Sequence, residues 1–177
     1  MTRKIILSLA MSLDGYIATK DDKFDWILGD GDNSLNTKEF WNFPEFLKTV
    51  DTIVMGSRCY DLGQHKDFTD KEVFIATFKK LEDKDNLHFI NGNIVEAVLE
   101  NNHQSDKNIF IWGGGGLVHN FLESSEIDEF YIGIVPVILG DGIPLFRGKT
   151  PSIRLHLEKI MSENGIVVLK YSKKSPV

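Results

Sequence analysis

Four consecutive glycines at residues 113–116 constrain the fold of this chain more than any other feature of its sequence. The apolar residues 108–112 before them predict a buried strand, and residues 117–122 after them carry apolar side chains at helical spacing. A strand, a glycine turn and a helix bring backbone N–H groups close to a phosphate at the positive end of the helix. The same glycines are equally compatible with a tight turn of no further role. The run is not the G-x-G-x-x-G fingerprint of a Rossmann domain, because Val118 occupies the last glycine position.

Length and composition indicate one ordinary globular domain spanning residues 1–177. Hydrophobic residues make up 42% of the chain, enough for a single core, and the net charge of −6 argues against nucleic acid as a partner. Cys59 is the only cysteine, so no disulfide forms within the chain. Asp14 interrupts the apolar N-terminal run, and no apolar stretch reaches the length of a membrane helix. We therefore expect a cytoplasmic protein with no membrane partner.

Periodicity predicts strands alternating with short helices, followed by antiparallel strands at the end of the chain. The Asn164-Gly165 pair is a signal for a two-residue hairpin turn. This order favours a mixed α/β sheet with helices on both faces. The predicted strands are residues 4–10, 51–56, 71–77, 87–90, 108–112 and 129–139, with a hairpin from 153 to 171; the predicted helices are residues 36–48, 57–62, 93–102 and 117–122.

Two prolines and one long loop qualify these predictions. Asn36 has the pattern of an N-cap, but Pro44 requires that the helix over 36–48 be kinked or begin near the proline. Pro136 requires an edge, a bulge or a bend in the strand over 129–139. Residues 19–32 form a polar loop with large apolar side chains in it, which predicts that the loop covers either the edge of the core or a ligand.

Three segments in register resemble the dihydrofolate reductase superfamily: SLDGYIA at 12–18, DTIVMGSRCYD at 51–61, and IWGGGG with VPVILGDGIPLF at 111–146. The resemblance is closer to the reductase domain at the C-terminus of bifunctional riboflavin-biosynthesis enzymes and to its free-standing bacterial relatives. It spans residues 4 to about 171. It implies a dihydrofolate reductase-like fold, with a mixed, mostly parallel central sheet, an antiparallel C-terminal hairpin and helices on both faces. It also implies NADPH as the cofactor and a homodimer.

The resemblance assigns roles to individual residues. The adenosine 2′-phosphate would lie near Gly56, Ser57 and Arg58, where a guanidinium and a helix start suit a phosphate and favour NADPH over NADH. On the residues alone, a surface ion pair is the favoured role for Arg58, and Ser57 is expected to cap the helix over 57–62. The family also leads us to expect a cis peptide between the first two glycines. The remaining assignments are Thr77 and Phe78 against the adenosine, Gly113, Gly114, Gly115, Gly116 and Leu117 around the pyrophosphate and its ribose, and Ala10, Ile17 and Ala18 beside the nicotinamide.

The substrate side departs from both named families. Dihydrofolate reductases carry an acid on the helix after the first loop, and that position falls near Phe40 here. The riboflavin-pathway reductases typically carry an acid just before the glycine pair, where this chain has Trp112. Asp14 is the remaining acid with a family counterpart, as a catalytic candidate or as a turn former. Trp26 is a candidate to stack on a planar substrate or to serve only in the core or a lid.

The sequence leaves three functions open. The first is an NADPH-dependent reductase of a small heterocyclic or carbonyl substrate, acting on CH–NH or CH–OH groups. The second is a true riboflavin-pathway reductase, and the third is a module that binds NADPH but has lost its catalytic acid. No metal is expected, because the histidines lack metal-ligand spacing. These are His65, His88, His103, His119 and His156.

Overall fold

A computed structural model describes residues 3–101 and 106–174, which form an eight-stranded sheet, a small second sheet and short helices. The strands are β1 Ile5–Ser12, β2 Tyr16–Ala18, β3 Val50–Gly56, β4 Glu72–Ala76, β5 Leu87–Ile90, β6 Asn108–Gly113, β7 Glu129–Val135, β8 Ile143–Pro144, β9 Leu155–Glu163 and β10 Ile166–Lys173. The helices are α1 Phe43–Lys48, α2 Ser57–Asp61, α3 Ile94–Glu100 and α4 Gly115–Glu123, with a 3-10 helix at Gln64–Phe68.

The main sheet has the strand order β5-β4-β3-β6-β1-β7-β10-β9. The first six strands in that order pair in parallel, whereas β10 pairs antiparallel with both β7 and β9. This confirms the predicted fold class, a mostly parallel sheet that ends in an antiparallel C-terminal hairpin. Parallel strands all end at the same edge of a sheet, so the loops that follow β1, β3 and β6 gather there.

Helices cover both faces of the sheet, so the central strands are buried on both sides. Neighbouring residues of β3 point to opposite faces: Val54 joins one apolar cluster and Ile53 the other. Phe121 of α4 packs in the cluster with Val54. Phe46 of α1 and Phe68 of the 3-10 helix pack in the cluster with Ile53. The continuous apolar runs of the sequence therefore correspond to strands that are buried on both faces. A strand with one exposed face would instead alternate apolar and polar residues.

Turn chemistry sets the ends of the C-terminal strands. β7 stops at Val135, because Pro136 has no N–H to donate to a neighbouring strand. The predicted strand over 129–139 is therefore shorter than expected. Asn164 and Gly165 have φ values of 54° and 77°, the left-handed conformation that a two-residue hairpin turn requires. The predicted hairpin turn is confirmed.

Two predicted helix caps are wrong. α1 begins at Phe43 with Asn42 as its N-cap, and the Asn42 side chain accepts a hydrogen bond from the Glu45 amide at 3.1 Å. Pro44 thus lies in the first turn, where its missing N–H costs nothing. Asn36 instead accepts a hydrogen bond from the Asn164 amide at 2.8 Å. The N-cap of α2 is Gly56, and no side chain caps this helix.

The small second sheet was not expected from the sequence. It pairs β2 with β8 antiparallel, with Tyr16 opposite Pro144 and Ala18 opposite Ile143. Two residues of β8 are too few to give a periodic signal. The pairing holds the segment after β8 against the loop that follows β1.

No helix within residues 3–101 and 106–174 is long and apolar enough to cross a membrane. The last predicted residue of the helix over 93–102 and the histidine His103 lie outside the described residues. Within them, α3 ends at Glu100.

We predict that His88 stabilises the fold more at mildly acidic than at alkaline pH. Its ring nitrogens lie 2.8 Å from Asp83 Oδ2 and 2.7 Å from Glu72 Oε2. Burial opposes the charged ring, but the two carboxylates outweigh it and raise the pKa of His88. A raised pKa gives stability that is complete below the unfolded value of about 6.5 and is lost as the pH rises through the folded value.

Urea unfolding of the wild-type protein and of His88→Gln at about pH 6 and about pH 9 tests this prediction. The loss of unfolding free energy should be larger at the lower pH. His156→Gln is the control, since His156 lies on the edge strand β9 and forms no ion pair among the described residues. A loss for His88→Gln that is the same at both pH values would show that the charge of the ring contributes nothing.

Candidate active site

A cavity of about 710 Å³ lies at the edge of the sheet where the parallel strands end. Loops of widely separated sequence regions meet around it, as is typical of ligand sites in open α/β sheets. Its walls come from β1, β6 and β7, from the loop over 19–32, and from the segment after β8. Among the sequence-predicted residues, the cavity is lined by Ala10, Ile17, Ala18, Arg58, Gly113, Gly114, Gly115 and Gly116.

The glycine turn presents unpaired amides to this cavity. Gly113 and Gly114 have φ values of 144° and 96°, which other residues rarely adopt. Gly114 is the N-cap of α4 and provides no side-chain hydrogen bond, and the Val118 amide donates to the Gly114 carbonyl at 3.0 Å. The amides of residues 115–117 therefore precede the first hydrogen bond of the helix. The peptide between Gly113 and Gly114 is trans, so the expected cis bond is a wrong prediction.

Arg58 reaches the same cavity from α2 and forms an ion pair with Asp22. The side chain of Arg58 is 71% exposed, whereas that of Asp22 is 17% exposed. Asp22 has a φ of 61° in the long polar loop over 19–32. The pair therefore attaches this loop to α2 across the mouth of the cavity. Phe24 and Ile27 of the loop line the cavity as well, so the loop covers a pocket as well as the edge of the core.

Arg147 is a second guanidinium on the cavity wall, and the sequence pattern did not reveal it. A Cβ added to Gly115 would lie 2.8 Å from Arg147 Nε and 2.7 Å from the Pro144 carbonyl oxygen. The segment after β8 thus crosses the first turn of α4 at a distance that only glycine allows. Arg147 forms no ion pair within the part of the chain that the structure describes. In the sequence, Arg147 is a single basic residue after a proline-containing loop. This pattern is too weak to assign a role to Arg147.

Aromatic side chains form another wall of the cavity. Trp41 and Tyr131 have ring centroids 4.6 Å apart, and Phe43 lies 6.1 Å from Trp112 and 6.0 Å from Phe110. We call these five residues, which all line the cavity, the aromatic wall. Trp41 is next in sequence to the predicted Phe40. An isolated sequence does not show which of two adjacent aromatic residues in a loop faces inward.

Uncharged polar groups line the cavity beside the aromatic wall, and two charged residues contact Tyr131 from outside the cavity lining. Lys170 Nζ lies 5.3 Å from the Tyr131 ring centroid, and the Tyr131 hydroxyl donates to Glu129 Oε2 at 3.3 Å. Gln64 lines the cavity, and its Oε1 accepts a hydrogen bond from Trp112 Nε1 at 2.7 Å. Burial raises the pKa of the Tyr131 hydroxyl and that of the Cys59 thiol. Both groups are therefore protonated and neutral near pH 7.

Several predicted cofactor residues lie outside the cavity lining. Gly56 is close behind it, since an added Cβ would lie 4.0 Å from the Gly113 carbonyl oxygen. Thr77 and Phe78 follow the end of β4, beside the end of β3, and the Phe78 side chain is fully exposed. Ser57 begins α2, and Leu117 is buried in the core beneath α4.

Asp14 has structural partners instead of a place on the cavity wall. Its carboxylate accepts hydrogen bonds from Ser12 Oγ at 2.6 Å, from the Leu139 amide at 3.1 Å and from the Gly140 amide at 2.8 Å. The Ser12 hydroxyl is the main cause that lowers the pKa of Asp14, and the two amides add to it. A lowered pKa keeps the carboxylate ionised, which is the opposite of what a proton donor requires. This geometry is that of a turn former that holds the segment after β7.

The two aromatic substrate candidates also lie elsewhere. Trp26 donates from Nε1 to the Lys23 carbonyl at 3.2 Å within its own loop and does not line the cavity. Phe40 is 53% exposed and lines a second cavity of about 500 Å³, together with Glu129 and Lys170. Trp41 and Tyr131 line both cavities. Among the described residues, no group of three or more His, Cys, Asp or Glu side chains is arranged to hold a metal ion.

Comparison with known proteins identifies relatives along nearly the whole chain. The chain is 34% identical to YwjB of Bacillus subtilis, an uncharacterized protein, over 97% of this chain and 98% of that one. It superposes with a TM-score of 0.80 on a candidate riboflavin biosynthesis protein from Shewanella sp. PV-4, which is 29% identical and covers 97% of this chain and 99% of its own. Dihydrofolate reductase from Enterococcus faecalis, solved with NADP(H), shares the fold at 13% identity, with a TM-score of 0.58 over 99% of both chains.

The family assignment rests on the same region that contains most of the site. Residues 37–168 match the model of the RibD C-terminal domain. That range includes Arg58, the glycine turn and Arg147. The chain belongs to the RibD C-terminal domain family and shares the fold of dihydrofolate reductase.

Proposed function

We propose that the protein is an NADPH-dependent reductase of a small heterocyclic or carbonyl compound, acting on CH–NH or CH–OH groups. The observation that supports it best is that the glycine turn, Arg58 and Arg147 line one cavity. A bound NADPH supplies a hydride, and the protein supplies position, charge and the exclusion of water. Hydride transfer is the activity that the resemblance implies.

The glycine turn suits a diphosphate. Three amides at the start of the nine-residue helix α4 lack intrahelical acceptors, and the positive end of the helix favours an anion there. Gly113, Gly114 and Gly116 have no atom within 4 Å of an added Cβ, so the main chain is open to a bound group. We assign the diphosphate to these amides, with Leu117 near the adjoining ribose. Arg147, which has no carboxylate partner in the described chain, adds a positive charge at the same place.

Arg58 is the residue we assign to the 2′-phosphate. In the absence of ligand its guanidinium pairs with one carboxylate, that of Asp22, and a phosphate dianion is a stronger partner for it. Gly56 and Ser57 accompany it at the same turn. The exposed ring of Phe78 and the neighbouring Thr77 lie at the end of the adjacent strand, where an adenosine beside Arg58 would reach them.

We assign the nicotinamide to three apolar side chains that line the cavity. Ala10 of β1 and Ile17 and Ala18 of β2 line it without filling it. Ala18 is fixed by its pairing with Ile143 of β8, so this wall is rigid. Flat apolar surfaces of this kind exclude water from a ring that must deliver a hydride.

One observation favours a second candidate, a module that binds NADPH without catalysis. Asp22 is the only carboxylate on the cavity wall among the described residues, and it is already paired with Arg58. Oxidation of NADPH, followed by its absorbance, against panels of pterins, ribosylaminopyrimidines and simple carbonyl compounds separates the two. Turnover of any panel supports the reductase, and tight binding without turnover on all of them supports the module.

We predict that Arg58→Ala weakens NADPH binding by at least about tenfold and leaves NADH binding almost unchanged. A charge-assisted contact to the 2′-phosphate is lost only with NADPH. Isothermal titration calorimetry with both cofactors measures the difference. Lys48→Ala is the matched control, since Lys48 is an exposed cation that pairs with Glu45 on α1. Equal losses for the two cofactors would remove Arg58 from the 2′-phosphate site.

We predict that Gly115→Ala and Gly116→Ala differ in stability although the glycines are adjacent. The added methyl of Gly115→Ala would meet the Pro144 carbonyl at 2.7 Å, so we expect a loss of about 1–3 kcal/mol in unfolding free energy. At Gly116 nothing lies within 4 Å, and the change to alanine in a helix should be neutral or stabilising. Urea unfolding of both variants tests the close approach. Similar stability for both would contradict the described crossing of α4.

We also propose that the protein is a cytoplasmic homodimer. The resemblance implies the dimer, and the edge strand β9 exposes Leu157 and Ile160. Their cross-strand partners are Tyr171 and Leu169, and because the register shifts between them the two side chains share one face. Light scattering of the wild-type protein should give twice the mass of the chain, and Ile160→Asp should give the single mass. A monomeric wild-type protein would refute the proposal.

A further inference from the structure

We propose that the aromatic wall binds an uncharged planar ring that carries a carbonyl group, with the ring against Trp41 and Tyr131 and the carbonyl oxygen on the Gln64 amide nitrogen. This inference rests on the proposed reductase function, because it names the class of substrate for that site. It departs from what the resemblance implies, because a neutral amide lies where the resemblance leads us to expect an acid.

The wall offers flat surfaces for a ring. Trp41 and Tyr131 lie with ring centroids 4.6 Å apart and an interplanar angle of 35°. Phe110 and Trp112 meet edge to face at 5.7 Å. All of these residues line the cavity, and Trp112 immediately precedes the glycine turn. A planar ring bound here therefore lies beside the place we assign to the cofactor, and it gains contact area and favourable ring-to-ring geometry.

The charges on the cavity wall argue against two kinds of substrate, those that need a carboxylate to accept their hydrogen bonds and those that are themselves ions. Pterins and aminopyrimidines present ring N–H and amino donors, which a carboxylate in the site would accept. The described part of the cavity wall offers only the Asp22 carboxylate, which lies beside Arg58 of α2 and not on the aromatic wall. A phosphorylated substrate needs a cation, and both guanidiniums of the cavity are assigned to the cofactor phosphates. A carboxylate placed on the aromatic wall would lose its hydration without compensation, and an ammonium would recover only part of that loss from the ring faces.

Gln64 supplies one directed hydrogen bond. The indole nitrogen of Trp112 is a donor only, so the Gln64 atom 2.7 Å from it must be the carbonyl oxygen. The amide nitrogen of Gln64 has no partner within residues 3–101 and 106–174. It is therefore a free donor on the cavity wall, suited to the oxygen of a ketone, an aldehyde or a lactam. Trp112 thus occupies the position of the missing acid and orients a neutral donor.

Three probes with the same ring test this inference by calorimetry, without turnover. They are methyl naphthyl ketone, which is uncharged, naphthoate, which is an anion, and naphthylmethylamine, which is a cation. Each is titrated into the protein saturated with NADP⁺ and again into the protein alone. We expect the ketone to bind at least about tenfold more tightly than either ion.

Variants then locate the site. Trp41→Ala should weaken the ketone by about tenfold or more, whereas Phe40→Ala, the adjacent residue outside this cavity, should change it less than about twofold. Gln64→Glu keeps the acceptor for Trp112 Nε1 and replaces the free donor with a carboxylate. It should weaken the ketone and strengthen the amine, so that the order of the two probes reverses. Urea unfolding confirms that each variant is folded.

The outcomes separate this inference from the proposed function. If NADP⁺ fails to bind, the proposed function is wrong, and the titrations without cofactor still decide about the ring site. If NADP⁺ binds but an ion binds as tightly as the ketone, the inference is wrong. The inference is also wrong if the ketone is insensitive to both Trp41→Ala and Gln64→Glu.

Discussion

The crossing of the segment after β8 over the first turn of α4 is the contact on which the site depends. Gly115 allows it, because a side chain there would collide with the Pro144 carbonyl and with Arg147. The crossing closes one wall of the cavity, brings Arg147 to the amides of the glycine turn, and is held by the pairing of β2 with β8. The absence of a side chain at Gly115 therefore allows this packing of the main chain, in addition to leaving space for a ligand.

The rest of the site separates charge from apolar surface. Cations and unpaired amides occur around the glycine turn, and the one carboxylate on the described wall is paired with Arg58. Toward the cavity the aromatic wall presents neutral groups, and burial raises the pKa values of Tyr131 and Cys59. Lys170 and Glu129 contact Tyr131 from outside the cavity lining. Such a division suits a doubly phosphorylated carrier at one side and a flat, uncharged partner at the other.

Local sequence signals predicted the features that local chemistry determines. The glycine turn, the Asn164-Gly165 hairpin and the buried strands follow from backbone conformation and apolar runs within a few residues. The cap prediction was wrong where a residue distant in the sequence forms a hydrogen bond with the predicted group. Asn36 has a cap signal, but a hydrogen bond from the Asn164 amide takes its side chain. Asp14, which the sequence left open between a catalytic acid and a turn former, accepts hydrogen bonds from the Leu139 and Gly140 amides.

The same reason explains which site residues the sequence did not reveal. Arg147 and Gln64 become site residues only through contacts made across the fold, with Gly115 in one case and with Trp112 in the other. Trp41 is distinguished from Phe40 by which ring meets Tyr131, a contact between residues ninety positions apart. Neither periodicity nor composition carries this information.

The most direct test of the account is a crystal structure of the protein with NADP⁺ bound. The account predicts the diphosphate at the amides of residues 115–117, Arg58 turned from Asp22 to the 2′-phosphate, and the nicotinamide beside Ala10. A dinucleotide bound elsewhere, or one that leaves the ion pair of Arg58 and Asp22 intact with no phosphate at the glycine turn, would contradict it.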